Sequence, residues 1–466
     1  MKKLLSLLAV LALVFVMAAC SSKTNTDPKP ADNGKDKDPV TENPAEKPEE
    51  VTLTYSNWSV GTEEEENLER LMVKAFQDKY PHIKVEIQEI AGDWNEALAT
   101  AASAGKLPDV FMLSQLPLAL SNDWLLDLNE LTAADEDFQN VPEIVRQSAT
   151  FNDKIVAVPF AQHFLGYFVN KDLFNAANLD YPEMDGTVEE FTKAVKDITN
   201  VNAGVVGLNH PFSIADWYPA AASADMGWFT YNDGEYALDS KEFLAGVNFA
   251  KEVATNGYAY DTLTDDQKAN FKGEHAGEVF AAGEIGLFWD GSWATTNFTE
   301  NAGFDFDFIG IPGGRTVITN DLLGLSKSTK HAEEAYLFAK WMSFGKEGFM
   351  KRMEIADTEG KTVNTLPLTD DEEILEEYFS QLTVPGIRKA YDHLSEAILE
   401  PVKTVPGYVQ SRWEAPTGIK IGDNENANMA ALLDNIIKGE LKIEDYAAQM
   451  NQLANDKSKE ALEALQ

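Results

Sequence analysis

Cysteine is almost absent from this chain of 466 residues, since Cys20 is the only one. No disulfide can form within the chain and a catalytic thiol in its body is excluded, so stability must come from packing. Beyond the first twenty residues no apolar run approaches the roughly 20 residues that a membrane-spanning helix requires. The chain has 44% hydrophobic and 25% charged residues. This composition predicts that the residues after the first twenty form a soluble globular body with a sizeable core.

Basic residues are scarce relative to acidic ones. The chain has 38 Lys and Arg against 77 Asp and Glu, which gives a formal net charge of -39. Such a surface repels phosphate backbones and anionic lipid, so binding to nucleic acid or direct adsorption to a membrane is not expected. We interpret the acidity as a means of solubility rather than as a site for a cationic partner.

Catalytic and cofactor motifs are also missing. There is no G-x-S-x-G, H-E-x-x-H, P-loop or dinucleotide fingerprint, and the six histidines show no metal-ligand spacing. Residues 423–426 resemble a calcium loop but lack its glycine and final glutamate, so they predict a solvated turn. No catalytic residue, cofactor or metal is predicted. A glycosidase pair, with Asp290 and Glu414 as the best candidates, stays open because each lies beside a tryptophan.

The N-terminus carries a secretory signal. Lys2 and Lys3 precede an apolar run over residues 4–17, and small residues follow up to Cys20. The small pair before Cys20 resembles a bacterial lipobox, which predicts a signal peptide over residues 1–20 and a lipid-modified Cys20. The alternative is an ordinary cleaved signal with a chance cysteine. Residues 21–50 are rich in Pro, Lys, Asp and Glu and have no aromatic residue, so they predict a disordered linker between the anchor and the body.

The body alternates strand and helix patterns, which predicts an α/β fold. Alternating apolar residues predict strands over 51–55 and 83–87, and an apolar stripe predicts a helix from 68 to 76 between them. Further patterns predict a helix at 94–104 with Asp93 as its N-cap, strands at 109–113, 155–160 and 167–169, and a helix at 429–437. No period of 20–50 residues repeats, so a solenoid is excluded.

Tryptophan is the best guide to function. Trp124 and Trp341 lie in apolar stretches and are predicted to be core residues. The other candidates lie in short polar or Gly/Pro-containing stretches, and as a set they predict a shared aromatic cleft: Trp58, Trp217, Trp228, Trp289, Trp293 and Trp413. An acid beside an indole is typical of sugar binding, because the carboxylate accepts bonds from hydroxyls while the ring packs on the apolar sugar face.

Several short motifs resemble, in family order, the bacterial extracellular solute-binding proteins that serve ABC transporters, the group that contains maltose-binding protein. The motifs occupy residues 105–111 (GKLPDVF), 157–160 (AVPF), 169–174 (VNKDLF), 280–287 (FAAGEIGL), 290–293 (DGSW), 309–314 (IGIPGG) and 323–328 (LGLSKS). Each is weak alone, but the ordered set together with a lipoprotein signal is specific.

The resemblance implies a two-lobed periplasmic-binding-protein-like fold, in which each lobe is a mostly parallel sheet flanked by helices and the ligand binds in the cleft between them. By similarity, the first lobe comprises residues 51–160 and 303–360, and the second comprises 161–302 and 361–466. The chain would cross between lobes near Phe160, Gly303 and Lys361. A hinge motion would close the lobes on the ligand.

The resemblance also implies ligand-binding residues. Trp293 matches the cleft tryptophan of the family, and Trp413 lies near its late stacking aromatic. His163 and His210 replace acidic residues of the family pattern. The complete implied set is Trp58, Gln115, His163, His210, Phe212, Trp217, Asp290, Trp293 and Trp413.

Together these features predict a monomeric, lipid-anchored binding protein at the extracytoplasmic face of the cell membrane. It would bind a sugar or oligosaccharide and deliver it to ABC permease subunits. A binding protein for a peptide or polyamine is the first alternative, although the excess of aromatics disfavours a phosphate or carboxylate ligand. An extracellular glycoside hydrolase is the second.

Overall fold

A computed structural model describes residues 49–466. The predicted signal peptide, the predicted lipidation site Cys20 and nearly all of the predicted linker lie outside these residues and stay predictions. Within 49–466, no helix combines the length and the apolar character that crossing a bilayer requires.

Strands and helices alternate along the described chain. The strands are β1 (Val51–Ser56), β2 (Ile83–Ile87), β3 (Val110–Leu113), β4 (Thr150–Phe151), β5 (Lys154–Ile155), β6 (Val158–Asn170), β7 (Val206–Leu208), β8 (Ile285–Gly291), β9 (Phe306–Phe308), β10 (Val317–Leu325), β11 (Ile398–Leu399), β12 (Pro416–Ile421) and β13 (Asn424–Asn428). The helices of the N-terminal half are α1 (Leu68–Lys79), α2 (Trp94–Ser103), α3 (Leu116–Ser121), α4 (Asn129–Ala133), α5 (Glu136–Gln139), α6 (Glu143–Ser148), α7 (Lys171–Ala177), α8 (Val188–Ile198) and α9 (Ile214–Ala222). Those that follow are α10 (Lys241–Thr255), α11 (Asp265–Lys268), α12 (Ala276–Ala281), α13 (Thr295–Asn301), α14 (Ala332–Met342), α15 (Lys346–Glu359), α16 (Glu372–Ser380), α17 (Pro385–Asp392), α18 (Met429–Ile437) and α19 (Ala447–Ala464).

The first βαβ unit forms where the periodicity predicts it. Helix α1 buries Met72, Val73 and Phe76 against the sheet. Asp93 caps α2 as predicted, since its carboxylate accepts a bond from the backbone N–H of Glu96 at 2.9 Å. Strands β1 and β2 are parallel, which is the arrangement that a helical crossover requires.

One mixed sheet runs through the molecule in the order β2-β1-β3-β10-β6-β8-β7, with β11 beside β10 and β9 beside β6. The pairs β1–β2, β1–β3, β7–β8 and β10–β11 are parallel. Strands β10 and β6 run antiparallel to each other, and each is antiparallel to its outer neighbour, β3 and β8 respectively. The two lobes therefore share a sheet through β6 and β10.

Strand β6 is one continuous strand of 13 residues, whereas the sequence pattern predicts two separate pieces. Gln162, His163 and Gly166 interrupt the apolar run, but β10 pairs with the backbone from Val158 to Leu165 and keeps it extended. Gly166 is required here, because a Cβ at this position would lie 2.6 Å from the Cα of Gly310.

Separate hydrophobic clusters form the cores of the two lobes. In the first lobe Leu53, Phe76 and Phe338 belong to one cluster, which joins β1, α1 and α14. In the second lobe the largest cluster gathers residues from α8, α9, α10, α18 and α19, with Trp217 fully buried among them. These two clusters hold different strands and helices, and a third cluster includes Phe168 of β6, Ile318 of β10 and Phe349 of α15.

The packing also indicates where the chain crosses from one lobe to the other. Ile309, Ile311 and Val317 belong to the second-lobe cluster, whereas Leu323 and Leu325 belong to the first-lobe cluster. We propose that the second crossing lies within β10 rather than near Gly303, because the switch between the two cores occurs along that strand.

Candidate functional site

The strand registers direct four loops toward one region of the sheet. Strands β1 and β3 run in the same direction as β6, and the last residue of β3 reaches the level of Pro159 through β10. Strands β7 and β8 run the opposite way, and β8 ends opposite Leu165. The carboxyl ends of both parallel pairs therefore face each other across the middle of β6, the position at which open α/β sheets bind ligands.

Four of the predicted site residues follow these strand ends at the same sequence separation. Trp58, Gln115, His210 and Trp293 are each the second residue after β1, β3, β7 and β8, respectively. His163 lies in β6 between the two sets, paired with Thr319 of β10. The structure thus brings together residues from widely separated parts of the sequence around the segment of β6 that joins the lobes.

Trp293 lies over the end of β8 and is 42% exposed. Its ring covers Gly291, where a Cβ would lie 2.4 Å from the indole. The rings of His163 and Trp293 pack in a T-shaped arrangement, with 5.1 Å between the ring centroids and 77° between the planes. Burial raises the pKa of Asp290, while the backbone N–H of Gly291, which donates to its carboxylate at 2.7 Å, and the nearby side chain of Trp293 oppose that shift.

His163 is an uncharged polar group on the floor of the cleft at neutral pH. Burial lowers its pKa to about 4, and the nearby carboxylate of Asp321 opposes this only in part. Its Nδ1 has no hydrogen-bond partner among residues 49–466. A buried ring nitrogen without a partner can bond to a ligand or to water.

The loop after β7 is held against the end of β8. The side-chain amide of Asn209 donates to the backbone oxygen of Trp289 and accepts from its N–H, both at 3.0 Å. The next residue, His210, stacks on Phe212 with ring centroids 6.1 Å apart. Burial lowers the pKa of His210 to about 4, so this ring is also neutral near pH 7.

Trp58 and Gln115 lie on the rim of the first lobe. Trp58 is 42% exposed and packs edge-on against Trp94, with 5.3 Å between ring centroids. The indole N–H of Trp94 donates to the backbone oxygen of Met112 at 3.0 Å, which places this pair beside the end of β3. Gln115 stands at the N-cap of α3 and is half-buried.

Trp413 lies on the second lobe in a single π-helical turn, Gln410–Glu414. It is 41% exposed, and its ring packs at 72° to that of buried Tyr408, with 5.6 Å between ring centroids. Turns of this type are rare and occur frequently at functional sites. Glu414, the predicted partner of Asp290 in a glycosidase, lines a groove with residues of α3 and α19, whereas Asp290 lies beside Trp293.

The prediction that Trp217 faces the cleft is wrong. Trp217 has no exposed surface, and its indole N–H donates to the hydroxyl of Tyr167 at 3.0 Å inside the second-lobe core. Its helix, α9, follows a polar loop, so the local sequence resembled that of an exposed site. Trp228 is likewise a core residue, with 6% of its surface exposed.

A cavity of about 340 Å³ borders the crossing strands. Its lining includes Ser59, His163, Asp321, Asn364 and Thr365. Sequence reasoning missed all of these except His163. The signal for Asp321 was a charge within an otherwise apolar strand pattern, but Asn364 and Thr365 carry no recognisable signal.

Both carboxylates at this cavity are in ion pairs, whereas Lys361, which also lines it, has no ion-pair partner among residues 49–466. Glu69 pairs with Arg352, and Asp321 pairs with Lys403. Among the described residues, no group of three or more His, Cys, Asp or Glu side chains is arranged to hold a metal ion. The arrangement offers aromatic surfaces, neutral hydrogen-bonding groups and the ammonium group of Lys361.

Comparison with known proteins gives matches of two kinds. An uncharacterized ABC transporter extracellular-binding protein of Pyrococcus horikoshii is 26% identical over 362 residues, which cover 74% of this chain and 76% of that protein. Among solved structures, an ABC substrate-binding protein of Listeria monocytogenes in complex with cycloalternan is 23% identical, with a TM-score of 0.65, and covers 88% of this chain and 99% of its own. A cyclic alpha-maltosyl-1,6-maltose binding protein of Arthrobacter globiformis is 19% identical, with a TM-score of 0.63, and covers 89% and 100%.

These structures share the two-lobed fold, which confirms the predicted fold class. The sequence profile of the bacterial extracellular solute-binding proteins matches residues 60–344, which is more than half of the chain. That family consists of binding proteins rather than enzymes. The chain therefore belongs to the bacterial extracellular solute-binding protein family.

Proposed function

We propose that this chain is the substrate-binding subunit of an ABC importer and that it binds a sugar or oligosaccharide in the cleft between its lobes. The Pyrococcus relative is described as an ABC transporter binding protein, and both structural neighbours are described with a cyclic sugar. In this proposal Cys20 carries a lipid that anchors the protein at the extracytoplasmic face of the cell membrane. Residues 21–50 tether the body, and the closed lobes deliver the ligand to the permease subunits.

The observation that carries the proposal is the exposure of three tryptophans. Trp58, Trp293 and Trp413 are the exposed large hydrophobic side chains within residues 49–466, at 41–42% each. Exposing an indole sacrifices the favourable burial of a large apolar surface. A sugar ring regains that energy by stacking, because its apolar face matches the indole while its hydroxyls remain free for hydrogen bonds.

The charge of the site disfavours a cationic ligand. His163 and His210 are uncharged at pH 7, and the cavity carboxylates Glu69 and Asp321 are paired with Arg352 and Lys403. A polyamine would find these carboxylates already paired and would leave its own charge without a partner, which is costly. Sugar hydroxyls, by contrast, are satisfied by neutral donors and acceptors.

The sheet supports a hinge mechanism. Because β6 and β10 connect the lobes, a change in the twist of their central residues would move one rim toward the other. The ligand would stabilise the closed form only through contacts that it makes with both rims at once. Trp58 on one rim and Trp293 and Trp413 on the other are suited to that role.

Intrinsic tryptophan fluorescence of the protein without residues 1–20 tests the proposal. Maltotetraose, cycloalternan, smaller sugars, a tripeptide and spermidine are titrated in parallel, with thermal unfolding measured on the same samples. A saturable change with a sugar, together with a raised midpoint, is expected, since ligand at 100 times Kd adds roughly 2.7 kcal/mol. A saturable change with only the peptide or spermidine would mean that the protein binds a non-sugar solute. Turnover of a sugar would indicate a hydrolase.

The Trp293→Ala variant links the effect to the site. We expect sugar binding to become unmeasurable while the thermal midpoint hardly changes, because the ring is partly exposed and outside the main cores. Wild-type affinity in this variant would remove Trp293 from the site.

A further inference from the structure

An ion pair lies beneath the exposed tryptophan of the second lobe. Arg412, the residue before Trp413, pairs with Asp216 in the first turn of α9. The side chains of Arg412 and Asp216 are only 12% and 14% exposed. The ion pair therefore lies inside the lobe, between the π-helical turn and the helix that follows the loop of His210 and Phe212.

The Arg412 guanidinium contacts aromatic rings on several sides. Its central carbon lies 4.2 Å from the centroid of Phe229, 5.3 Å from that of Trp413 and 5.9 Å from that of Tyr408. One terminal nitrogen also donates to the hydroxyl of Tyr408 at 3.0 Å. A planar cation can stack on aromatic faces in this way, whereas an ammonium group cannot.

The hydrogen bonding of Arg412 indicates that ring packing, and not the ion pair alone, sets its orientation. Its Nε is buried and has no partner among the described residues, although unpaired buried donors are costly and rare. The backbone of Trp413 is fixed separately, since its carbonyl accepts from the side-chain amide of Asn428 at 2.6 Å. The indole itself is restrained by Tyr408 and Arg412.

We propose that Arg412, held by Asp216, is a positioning residue that fixes the indole of Trp413 in the orientation needed for ligand stacking. An exposed aromatic ring that can rotate loses conformational entropy when a ligand stacks on it, so a ring fixed in advance binds more tightly. The same ion pair ties Trp413 to α9 and hence to the loop that carries His210. The proposal rests on the proposed sugar-binding function, in which Trp413 is a stacking surface.

The test is a double-mutant cycle read by two measurements. Arg412→Lys keeps a cation beside Asp216 but removes the planar group, and it is made in the wild-type and Trp413→Ala backgrounds. The near-UV circular dichroism of Trp413, taken as the difference between wild type and Trp413→Ala, should fall by more than half. The Kd for maltotetraose should rise about tenfold in the wild-type background and less than twofold in the Trp413→Ala background, which has no ring to position.

Arg388→Lys is the matched control. Arg388 also pairs with an aspartate and lies 4.6 Å from the centroid of an aromatic ring, that of Phe379, but this group is on α17 and about half exposed. Neither measurement should change in that variant. If Arg412→Lys does not fold, Asp216→Asn replaces it, since it keeps the side-chain shape and should weaken the same dichroism band.

The two measurements separate the outcomes. An unchanged Trp413 band, or an equal loss of affinity in both backgrounds, would overturn the positioning role. A reduced band in a protein that does not bind maltotetraose would support the positioning of the ring and count against the proposed ligand instead.

Discussion

At the scale of single residues, Gly291 decides where the indole of Trp293 lies. The ring occupies the space that a side chain at position 291 would fill. The backbone of Gly291, with φ -91° and ψ 161°, is accessible to any residue, so an alanine there would not strain the chain. The absence of a side chain, rather than backbone freedom, is therefore what this position contributes.

We expect Gly291→Ala to displace the Trp293 ring and to weaken sugar binding at least tenfold, with little loss of stability. Fluorescence titration and near-UV circular dichroism measure the two effects. Gly277→Ala is the control, because a Cβ at Gly277 would meet nothing within 4 Å. Unchanged affinity in Gly291→Ala would show that the position of this ring does not matter for binding.

Trp217 and Trp58 should respond to truncation in opposite ways. Trp217→Ala should cost about 3–5 kcal/mol in the free energy of unfolding, because it empties a large volume in a packed core. Trp58→Ala should cost less than about 1 kcal/mol, as is usual for exposed positions, yet it should weaken binding. Urea unfolding and ligand titration of both variants test this contrast, which a similar stability loss in the two would contradict.

At the scale of elements, the Asn209 side chain joins a loop to a strand. It completes two backbone hydrogen bonds with Trp289 that no neighbouring strand supplies at that point. Asn209→Ala should lower the free energy of unfolding by about 2 kcal/mol, since it leaves a buried donor and acceptor without partners. Affinity should fall as well, because the loop with His210 is no longer fixed.

Asn256→Ala is the control for this prediction. Asn256 is exposed, and its side chain bonds only to the turn of helix that precedes it. Urea unfolding and sugar titration apply to both variants. If Asn209→Ala weakened stability but left the Kd unchanged, the loop would not belong to the binding site.

Several strands and helices could be predicted from the periodic spacing of their apolar residues. Strand β1, helix α1, strand β2 and helix α18 formed where the apolar pattern placed them, because each buries one face against a core. Trp124 and Trp341 are core residues, as their apolar surroundings indicated. Local pattern was sufficient wherever one face of an element is apolar and the other is polar.

Local pattern failed where long-range pairing decides the structure. Because Gln162 and His163 are polar, the sequence pattern predicts that the strand is interrupted at the centre of β6. Only the pairing with β10 shows that the strand is continuous. Burial of Trp217 depends on Tyr167, which lies 50 residues away. Asp321, Asn364 and Thr365 line the cavity only because the chain folds back on itself, and no local sequence pattern indicates this.

At the scale of the whole molecule, a buried acid lies beside the sheet that connects the lobes. Glu400 follows β11, and its backbone N–H donates to the oxygen of Ile318 in β10 at 2.8 Å. Burial raises its pKa to about 7; the Val402 N–H and Lys403 oppose the shift, and Asp216 adds to it. The folded protein therefore binds this proton more tightly than the unfolded chain does, where the pKa is 4.5.

The contribution of Glu400 to the free energy of unfolding is therefore fully present below pH 4.5. It is lost as the pH rises through the folded-state pKa of about 7. Relative to Glu400→Gln, the free energy of unfolding of the wild type should fall by on the order of 3 kcal/mol between pH 4.5 and 8. Urea unfolding of both proteins at several pH values measures the difference, in which the opposite contributions of His163 and His210 cancel. Exposed Glu440→Gln is the control, and parallel curves for Glu400→Gln and wild type would contradict the prediction.

The shared sheet has a consequence for the order in which the protein can form. Strand β3 needs β10 as its neighbour, yet their paired residues Leu113 and Leu322 are 209 positions apart. While the polypeptide is being synthesised and exported, the edge of β3 stays uncovered until the chain has passed Leu325. Because an unpaired edge can pair with other extended chains, β3 is open to mispairing until β10 has been made.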